Sequence, residues 1–385
     1  EGTLDTTNLS WGNGQQLGTL SEKFDVKKAT QFQLQVNVAG FMNSWDFWVY
    51  PKQLPAVNED ILVVSTLNEK ALDTLSRGGK VLLTVKKGSI KNGKGGEVAV
   101  GFSSIFWNTA WTNGQKPHTL GILCNPRHPA LAEFPTQYHS NWQWWDAMLH
   151  SNSISLEGLK NRPEPIVRII DDWVTNRDLA MIFEAKVGNG KLVMAGVDLQ
   201  SGLESRPEAR QMLFSLKSYM ISDQFAPQTT VSVDEILSMF KAPEELAMSD
   251  AVVVADSFQN GYEAANVLDG NPATIWHTAW KAEVSDYPHS LQVQLATPLE
   301  LKGFTLLPRQ DGNRNGLVAE YEIYVSDDAQ KRGEFVAKGA FSADGMLKRI
   351  ELDQPVAGQF ITIIATKGFG GDKSASLAEF DLIVE

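Results

Sequence analysis

Residues 269 to 280 read DGNPATIWHTAW, which places an acidic turn residue (Asp269), a hydroxyl (Thr274), an imidazole (His277) and two indoles (Trp276 and Trp280) within a dozen positions. Such a set suits four tasks: acid–base catalysis, coordination of a cation, stacking of a sugar on an aromatic face, or plain loop packing in which Asp269 and Thr274 cap backbone amides. Catalysis is the weakest of the four. Other reactive groups are sparse. Cys124 sits in GILCNPRHPAL without the glycines that flank a nucleophile on a sharp strand-to-helix turn, and no His follows VMAGVDL in the same segment. A lone cysteine also excludes an intrachain disulfide and a cysteine-based zinc site. Asp171, Asp172 and Glu133 offer carboxylates, yet a glycosidase pair needs a working separation, and such acids more often cap helices or face solvent. FWNTAW and HSNWQWWDAM bring in Trp107, Trp111, Trp142, Trp144 and Trp145, which would serve either as a sugar platform or as core and inter-domain packing; packing is the expectation.

Three kinds of element must position these groups. In residues 1–54, QFQLQVNVAG alternates Phe32, Leu34, Val36 and Val38 with polar residues, the period of a half-buried strand, and SWDFWVYP adds β-formers up to Pro51. Two or three strands cannot bury a core alone, so this segment reads as a β-sandwich fragment. Residues 55–228 change grammar. DILVVS and KVLLTV are buried-strand runs, TLNEKALDTLSRGG is a capped helix ending at Gly78-Gly79, GNGKLVMAGVDL is a turn plus strand, and RPEARQMLFSLKSYMIS is a helix opening at Pro207. Strand, helix, strand order predicts an α/β domain with a parallel sheet and an aromatic-rich insertion around 100–175. Residues 229–245 read as a connector with a short helix at 234–240. From 246 to 385, SLQVQL, EYEIYVS and FITIIAT with frequent turn signals predict an all-β sandwich.

Charge sharpens that division. Residues 245–385 carry 11 Lys and Arg against 21 Asp and Glu, a net of −10, while residues 1–244 contribute only −2 of the total −12. Such acidity opposes nucleic acid and anionic lipid as partners. No apolar run reaches the roughly 18 residues of a membrane span, and the first residues hold neither a basic n-region nor an apolar h-region, so the chain reads as soluble with no signal peptide in view.

The last segment closely resembles the discoidin, or factor 5/8 type C, fold, and within it the carbohydrate-binding modules of family 32. The resemblance runs through AANVLDGNPATIWHTAW, YPHSLQVQL, LKGFTLLPRQDGNRNGLVAEYEIYVSDD and SLAEFDLIVE. It implies a jelly-roll sandwich and a structural calcium ion held by Asp269, Thr274 and Glu379, with carbonyls near Ala264 and Asn271; a turn without metal is the alternative. It also implies a galactose-like glycan site at His277, Arg309, Asn313 or Asn315, and Phe369, with Trp276 and Trp280 in the core beneath. The alternative for His277 and Arg309 is a buried polar bridge between loops. Membrane-binding relatives use apolar spikes flanked by basic residues, which this acidic segment lacks.

The layout of the middle segment resembles the glutamine amidotransferase-like, flavodoxin-like fold, without that fold's Cys and His. Together with NSWDFWVYP and SSIFWNTAWTNGQKPHTLGILCNPRHPAL, it is similar to the C-terminal regions of bacterial family 2 glycoside hydrolases of the β-galactosidase type. A (β/α)8 catalytic barrel takes roughly 250 residues, and no stretch here supplies one. The resemblance therefore implies a non-catalytic portion of a secreted or periplasmic polysaccharide-degrading protein whose catalytic domain lies elsewhere. The alternative is a scaffold that binds nothing.

Overall fold

The structure is a computed structural model that describes residues 2–3, 12–14, 16, 18–57, 60–102, 118–242, 245, 247–248, 250–281 and 284–384. Trp107 and Trp111 lie outside the described residues. The chain forms two compact units, residues 1–240 and 241–385. The connector read at 229–245 is thus divided, because Val231, Ile236 and Met239 are buried in the core of the first unit.

The first unit opens with a hairpin of β1 (Thr30–Val38) and β2 (Phe41–Val49). Its two-residue turn, Ala39-Gly40, has both φ values positive, at 52° and 88°, the twist that two-residue hairpins favour. Directly paired residues share a face, so Phe32 with Phe47, Leu34 with Trp45 and Val38 with Phe41 build one apolar side. Much of it is open, with Phe41 82% and Trp45 47% exposed.

A seven-stranded sheet follows in the order β3 (Ile61–Val64), β4 (Lys80–Thr84), β9 (Gly190–Ala195), β8 (Leu179–Val187), β7 (Pro165–Ile169) and β5 (Ile122–Cys124), with β6 (Ile154–Ser155) paired to β8. Its strands are buried on both faces. Val81, Leu83, Leu192 and Met194 point to a cluster with α1 (Glu69–Ser76) and α4 (Val233–Leu237). Leu82, Val193 and Ala195 point to a second cluster with Trp144, Phe134 and α3 (Pro207–Ile221). The expected parallel sheet is corrected to a mixed one: β3, β4 and β9 run parallel, but β8 returns on β9 and β7 on β8 as antiparallel neighbours. The reason is the GNG turn at 188–190, which closes a hairpin where a doubly wound fold would insert a helix. Among the described residues of this unit only α1 and α3 reach eight residues, since α2 (Trp145–Leu149) and α4 are single turns.

The second unit is a jelly roll of β10 (Val252–Ala255), β11 (Trp276–His277), β12 (His289–Leu307), β13 (Val318–Ser326), β14 (Glu334–Ala340), β15 (Lys348–Gly368), β16 (Ser376–Leu377) and β17 (Glu379–Ile383). The long strands β12 and β15 serve both sheets of the sandwich. The first half of β12 lies between β10 and the second half of β15, which continues to β13 and β14; its second half lies between β17 and the first half of β15. The change falls at the register shift between Gln294 and Leu299. Inward residues of both sheets, among them Leu291, Val293, Phe304, Ile323, Ile361 and Phe380, form one core. No helix among the described residues is long and apolar enough to cross a membrane.

Candidate carbohydrate-binding site

Three loops of the second unit converge. The first follows β11, a two-residue strand paired with β16, and this pairing fixes His277 opposite Ser376. The second is the turn 308–317 after β12. The third, 369–375, joins β15 to β16. Backbone bonds join them: Ser376 N donates to the Gly316 carbonyl at 2.7 Å, and Thr278 N to the Ala375 carbonyl at 3.0 Å. Gly316 has φ +79° and packs on Ser376, whose Cβ would lie 2.9 Å from any added Cβ, so only glycine fits.

His277 is buried, and its Nδ1 lies 2.7 Å from the Thr278 carbonyl oxygen. That oxygen can only accept, so Nδ1 carries the proton and Nε2 keeps a lone pair. Burial lowers the pKa of the ring, and the Arg309 charge works in the same direction, against the Thr278 bond and the charges of Asp372 and Asp311. His277 is therefore a neutral acceptor near pH 7. Arg309 is 7% exposed and set by a fork on Asp311, with Nε to Oδ1 at 2.8 Å and Nη2 to Oδ2 at 2.6 Å, while Nη1 donates to the Asn315 carbonyl at 2.8 Å. Among the described residues three of its five N–H groups are used and two remain. The guanidinium holds the Asp311 carboxyl down at about 2.

Asn313 and Asn315 are exposed on the same turn; the Asn313 side-chain oxygen accepts from Asn315 N at 3.1 Å. Phe369 is half-buried at the start of the third loop, ahead of Gly370 and Gly371, both in the left-handed region. Asp372 accepts from Gly316 N and so ties this loop to the Arg309 turn. The structure thus gathers the loops that carry all five expected residues. It also adds Asp311, Asp372 and Tyr262. Asp311 and Asp372 sit among glycines and asparagines, a pattern that from sequence alone reads only as turn.

Trp276 is 3% exposed and in the core, as expected, but Trp280 is not: it is 41% exposed and meets the edge of His277 at 4.7 Å and Tyr262 at 5.0 Å. The correction has a simple cause. β11 ends at His277, so Trp280 has left the strand and its side no longer faces the sandwich interior.

The second expected cluster lies where a short 3-10 turn, Ala264–Leu268, runs into Asp269. Asp269 Oδ1 accepts from Asn271 N at 2.8 Å, and Thr274 Oγ1 lies 2.6 Å from Asp269 Oδ2 and 2.8 Å from the Asn271 carbonyl. Glu379, on β17, faces this turn. Its Oε1 is buried without a partner, and burial, then the Asp269 charge, raises its pKa against a bond from the Gly270 amide. A buried, unsatisfied carboxylate oxygen turned toward a second carboxylate fits a hard cation. Among the described residues no three His, Cys, Asp or Glu side chains form a metal nest, so such an ion would also draw on hydroxyl and carbonyl oxygens.

In the first unit, Cys124 is buried with its thiol pushed up to about 11 by burial, far from a nucleophile's range. Asp171 is forked by Arg177, and Asp172 accepts from the amides of Val174 and Thr175, so both anchor a loop. Of the tryptophans expected in packing, Trp144 is fully buried, but Trp142 and Trp145 are 74% and 48% exposed and, among the described residues, make ring contacts with each other and Phe102. Their short helical turns present one face to the core, and Trp144 takes it.

The F5/8 type C domain family matches residues 251–380, and two families described as domains of unknown function, DUF8488 and DUF8487, match residues 1–51 and 62–241. The galactose oxidase of Gibberella zeae is 32% identical over 138 residues, which cover 36% of this chain and 20% of that protein. The sialidase of Micromonospora viridifaciens is 34% identical over 120 residues, 31% of this chain and 18% of that one. The chain thus spans about a fifth of the curated relatives it matches. Among solved structures, the family 32 CBM from C. perfringens NanJ in complex with galactose is 30% identical, with a TM-score of 0.32 over 36% of this chain and 96% of that one. Residues 251–380 of this chain are an F5/8 type C, or discoidin, domain.

Proposed function

We propose that the F5/8 type C domain binds a galactose-like glycan through His277, Arg309, the Asn313–Asn315 turn and Phe369, with Trp280 as an added aromatic face. The observation that carries this reading is the pairing of a buried neutral acceptor, His277 Nε2, with the unused N–H groups of a buried, preset arginine whose charge reaches it. A sugar hydroxyl donates to one and accepts from the other, while its C–H face packs on an aromatic ring. Likeness to a galactose oxidase supports this sugar class.

A calcium ion belongs to the same proposal. Asp269, Thr274 and Glu379, with carbonyls near Ala264 and Asn271, would hold it. When bound, the ion supplies positive charge that neutralises the facing carboxylates. It acts on loop shape, not on any reaction.

We further propose that the full-length protein is a polysaccharide-degrading glycoside hydrolase of the β-galactosidase type. Its catalytic domain would be another part of the polypeptide, and it would act in the periplasm or outside the cell. The open apolar face of the β1–β2 hairpin supports a further folded neighbour, because a two-stranded ribbon is marginal alone. Glycan binding would then raise the local substrate concentration for the tethered enzyme.

Isothermal titration of the full chain with methyl β-galactoside, and with glucoside and mannoside controls, tests the reading. Binding in the millimolar range, about −4 kcal/mol, that is selective for galactoside supports it. The absence of heat with every sugar, with Arg309→Ala affecting only stability, leaves the domain as a scaffold.

A further inference from the structure

The third loop contains two consecutive left-handed glycines, Gly370 and Gly371, and has two bonds of its own, Asp372 N to the Phe369 carbonyl at 3.1 Å and Ser374 N to Asp372 Oδ1 at 3.0 Å. It is also held from outside. Asp372 bonds Gly316 N, Tyr287 Oη donates to the Ser374 carbonyl, and Lys373 pairs with Asp286 at 3.0 Å in an exposed, weak contact. The deepest pin is His289, at the start of β12, whose side chain is 0% exposed. Its Nε2 lies 2.7 Å from the Lys373 carbonyl oxygen and its Nδ1 lies 3.3 Å from Asp256 Oδ2.

Both partners are acceptors, whereas a neutral imidazole offers one N–H and one lone pair. Either neutral tautomer would turn a lone pair toward an oxygen. Only the imidazolium satisfies both bonds. The charged and titratable groups around the ring agree: Asp256 at the end of β10, Asp286 just before β12, Tyr287 edge-on at 4.9 Å, and Lys373, whose ammonium is turned to Asp286. Burial alone lowers the ring's pKa, but the bonds to Asp256 and Lys373 and the charges of Asp256 and Asp286 outweigh it, and the net direction is upward.

We infer that His289 is a positioning residue for the Phe369 loop, which it pins in binding shape only while its ring is doubly protonated, so that glycan affinity falls as the medium turns alkaline. The inference rests on the glycan-binding reading above. The sign follows from the raised pKa: the stabilisation is complete below the unfolded value near 6.5 and is lost as pH rises through the folded one.

The test uses the full chain from pH 5.5 to 9.5. Ring-nitrogen NMR follows the charge of His289, hydrogen exchange follows the amides of residues 369–374, and calorimetry follows affinity for methyl β-galactoside. We expect loop protection and affinity to fall together as His289 loses its proton, affinity by roughly tenfold, the scale of one charged hydrogen bond. Asp256→Asn should move all three midpoints to lower pH, and His289→Gln should flatten the alkaline limb. A ring already neutral at pH 6, or protection that does not change through its titration, overturns the pin. Galactoside binding with a flat pH profile also overturns it while leaving the glycan reading intact. Loop protection that titrates with His289 while no sugar binds supports the pin and removes the glycan reading instead.

Discussion

Removing the charge of Glu379 should have opposite effects with and without calcium. Without a cation, this half-buried carboxylate has one oxygen with no partner and another carboxylate, Asp269, in front of it. Glu379→Gln keeps the shape and deletes the repulsion. In chelator it should stabilise the second unit by about 1 kcal/mol, the scale of one like-charge contact in a solvent-screened, half-buried position. With calcium the same carboxylate is a ligand. A weak site of the extracellular kind has a Kd on the order of 0.1–1 mM, so about 10 mM calcium should add about 1.4–2.7 kcal/mol to the wild-type unit. In a unit spanning residues 241–385, that corresponds to a rise in Tm of roughly 5–10 °C, whereas the variant should respond little.

Differential scanning calorimetry of both proteins, in 10 mM calcium and in chelator, reads all four values. A pH series adds a check on sign. A glutamate whose folded pKa is raised destabilises the fold above that pKa and ceases to do so as pH falls through it. In chelator, the advantage of Glu379→Gln should therefore shrink as pH falls through the raised pKa. A variant that shifts Tm equally in both conditions, or a wild type indifferent to calcium, would refute the reasoning and return Asp269 and Thr274 to a simple capped turn.

Four further outcomes are expected. Arg309→Lys keeps the charge but loses the fork on Asp311 and the bond to Asn315, and should cost about 1.5–3 kcal/mol in the stability of the second unit by calorimetric unfolding and at least tenfold in galactoside affinity by titration calorimetry. Protonating His277, which burial resists, fills the Nε2 lone pair, so affinity should fall on the acid side as pH drops through its lowered pKa, and NMR of the ring should show the same midpoint. Trp280→Ala, at an exposed edge, should leave the unfolding free energy within about 0.5 kcal/mol of wild type but weaken binding roughly three- to tenfold by titration calorimetry. Cys124, buried with its pKa raised, should react with a thiol reagent at pH 8 only after denaturant is added.

The second unit was largely legible because its strands alternate. Leu291, Val293 and Leu295 face inward in SLQVQL, and Tyr321, Ile323 and Val325 in EYEIYVS, so period and fold agree. The site was legible only as a set of residue types. Trp276 and Trp280 look equivalent in DGNPATIWHTAW, and only the end of β11 at His277 decides that one is core and the other exposed. In the first unit the buried runs named β3, β4 and β9 correctly. Continuous apolarity, however, carries no strand direction, and so the antiparallel return of β8 was invisible. For Trp142, Trp144 and Trp145, a helical turn buries one ring in three, and nothing in the run NWQWW says which.

The polar residues of the site explain why a domain with a conventional core needs so many internal loop bonds. Sandwich packing fixes β12, β13 and β15 but leaves the turns at one end free, and a weak sugar ligand cannot order them and still bind. Here the ordering is done beforehand. Asp311 and Asn315 preset Arg309, Asp372 ties the glycine-rich loop to Gly316, Thr278 and Ala375 lock β11 to β16, and His289 holds the far side of the same loop. Each tie spends a charged or buried polar group on geometry, and those that set Arg309 use three of its five N–H groups. A scaffold with no ligand could satisfy the same turns with apolar residues at no loss of stability, since buried charge pairs are often replaceable in that way. That Arg309 and His277 are kept buried and only partly bonded is therefore the feature that favours the proposed binding site over a scaffold.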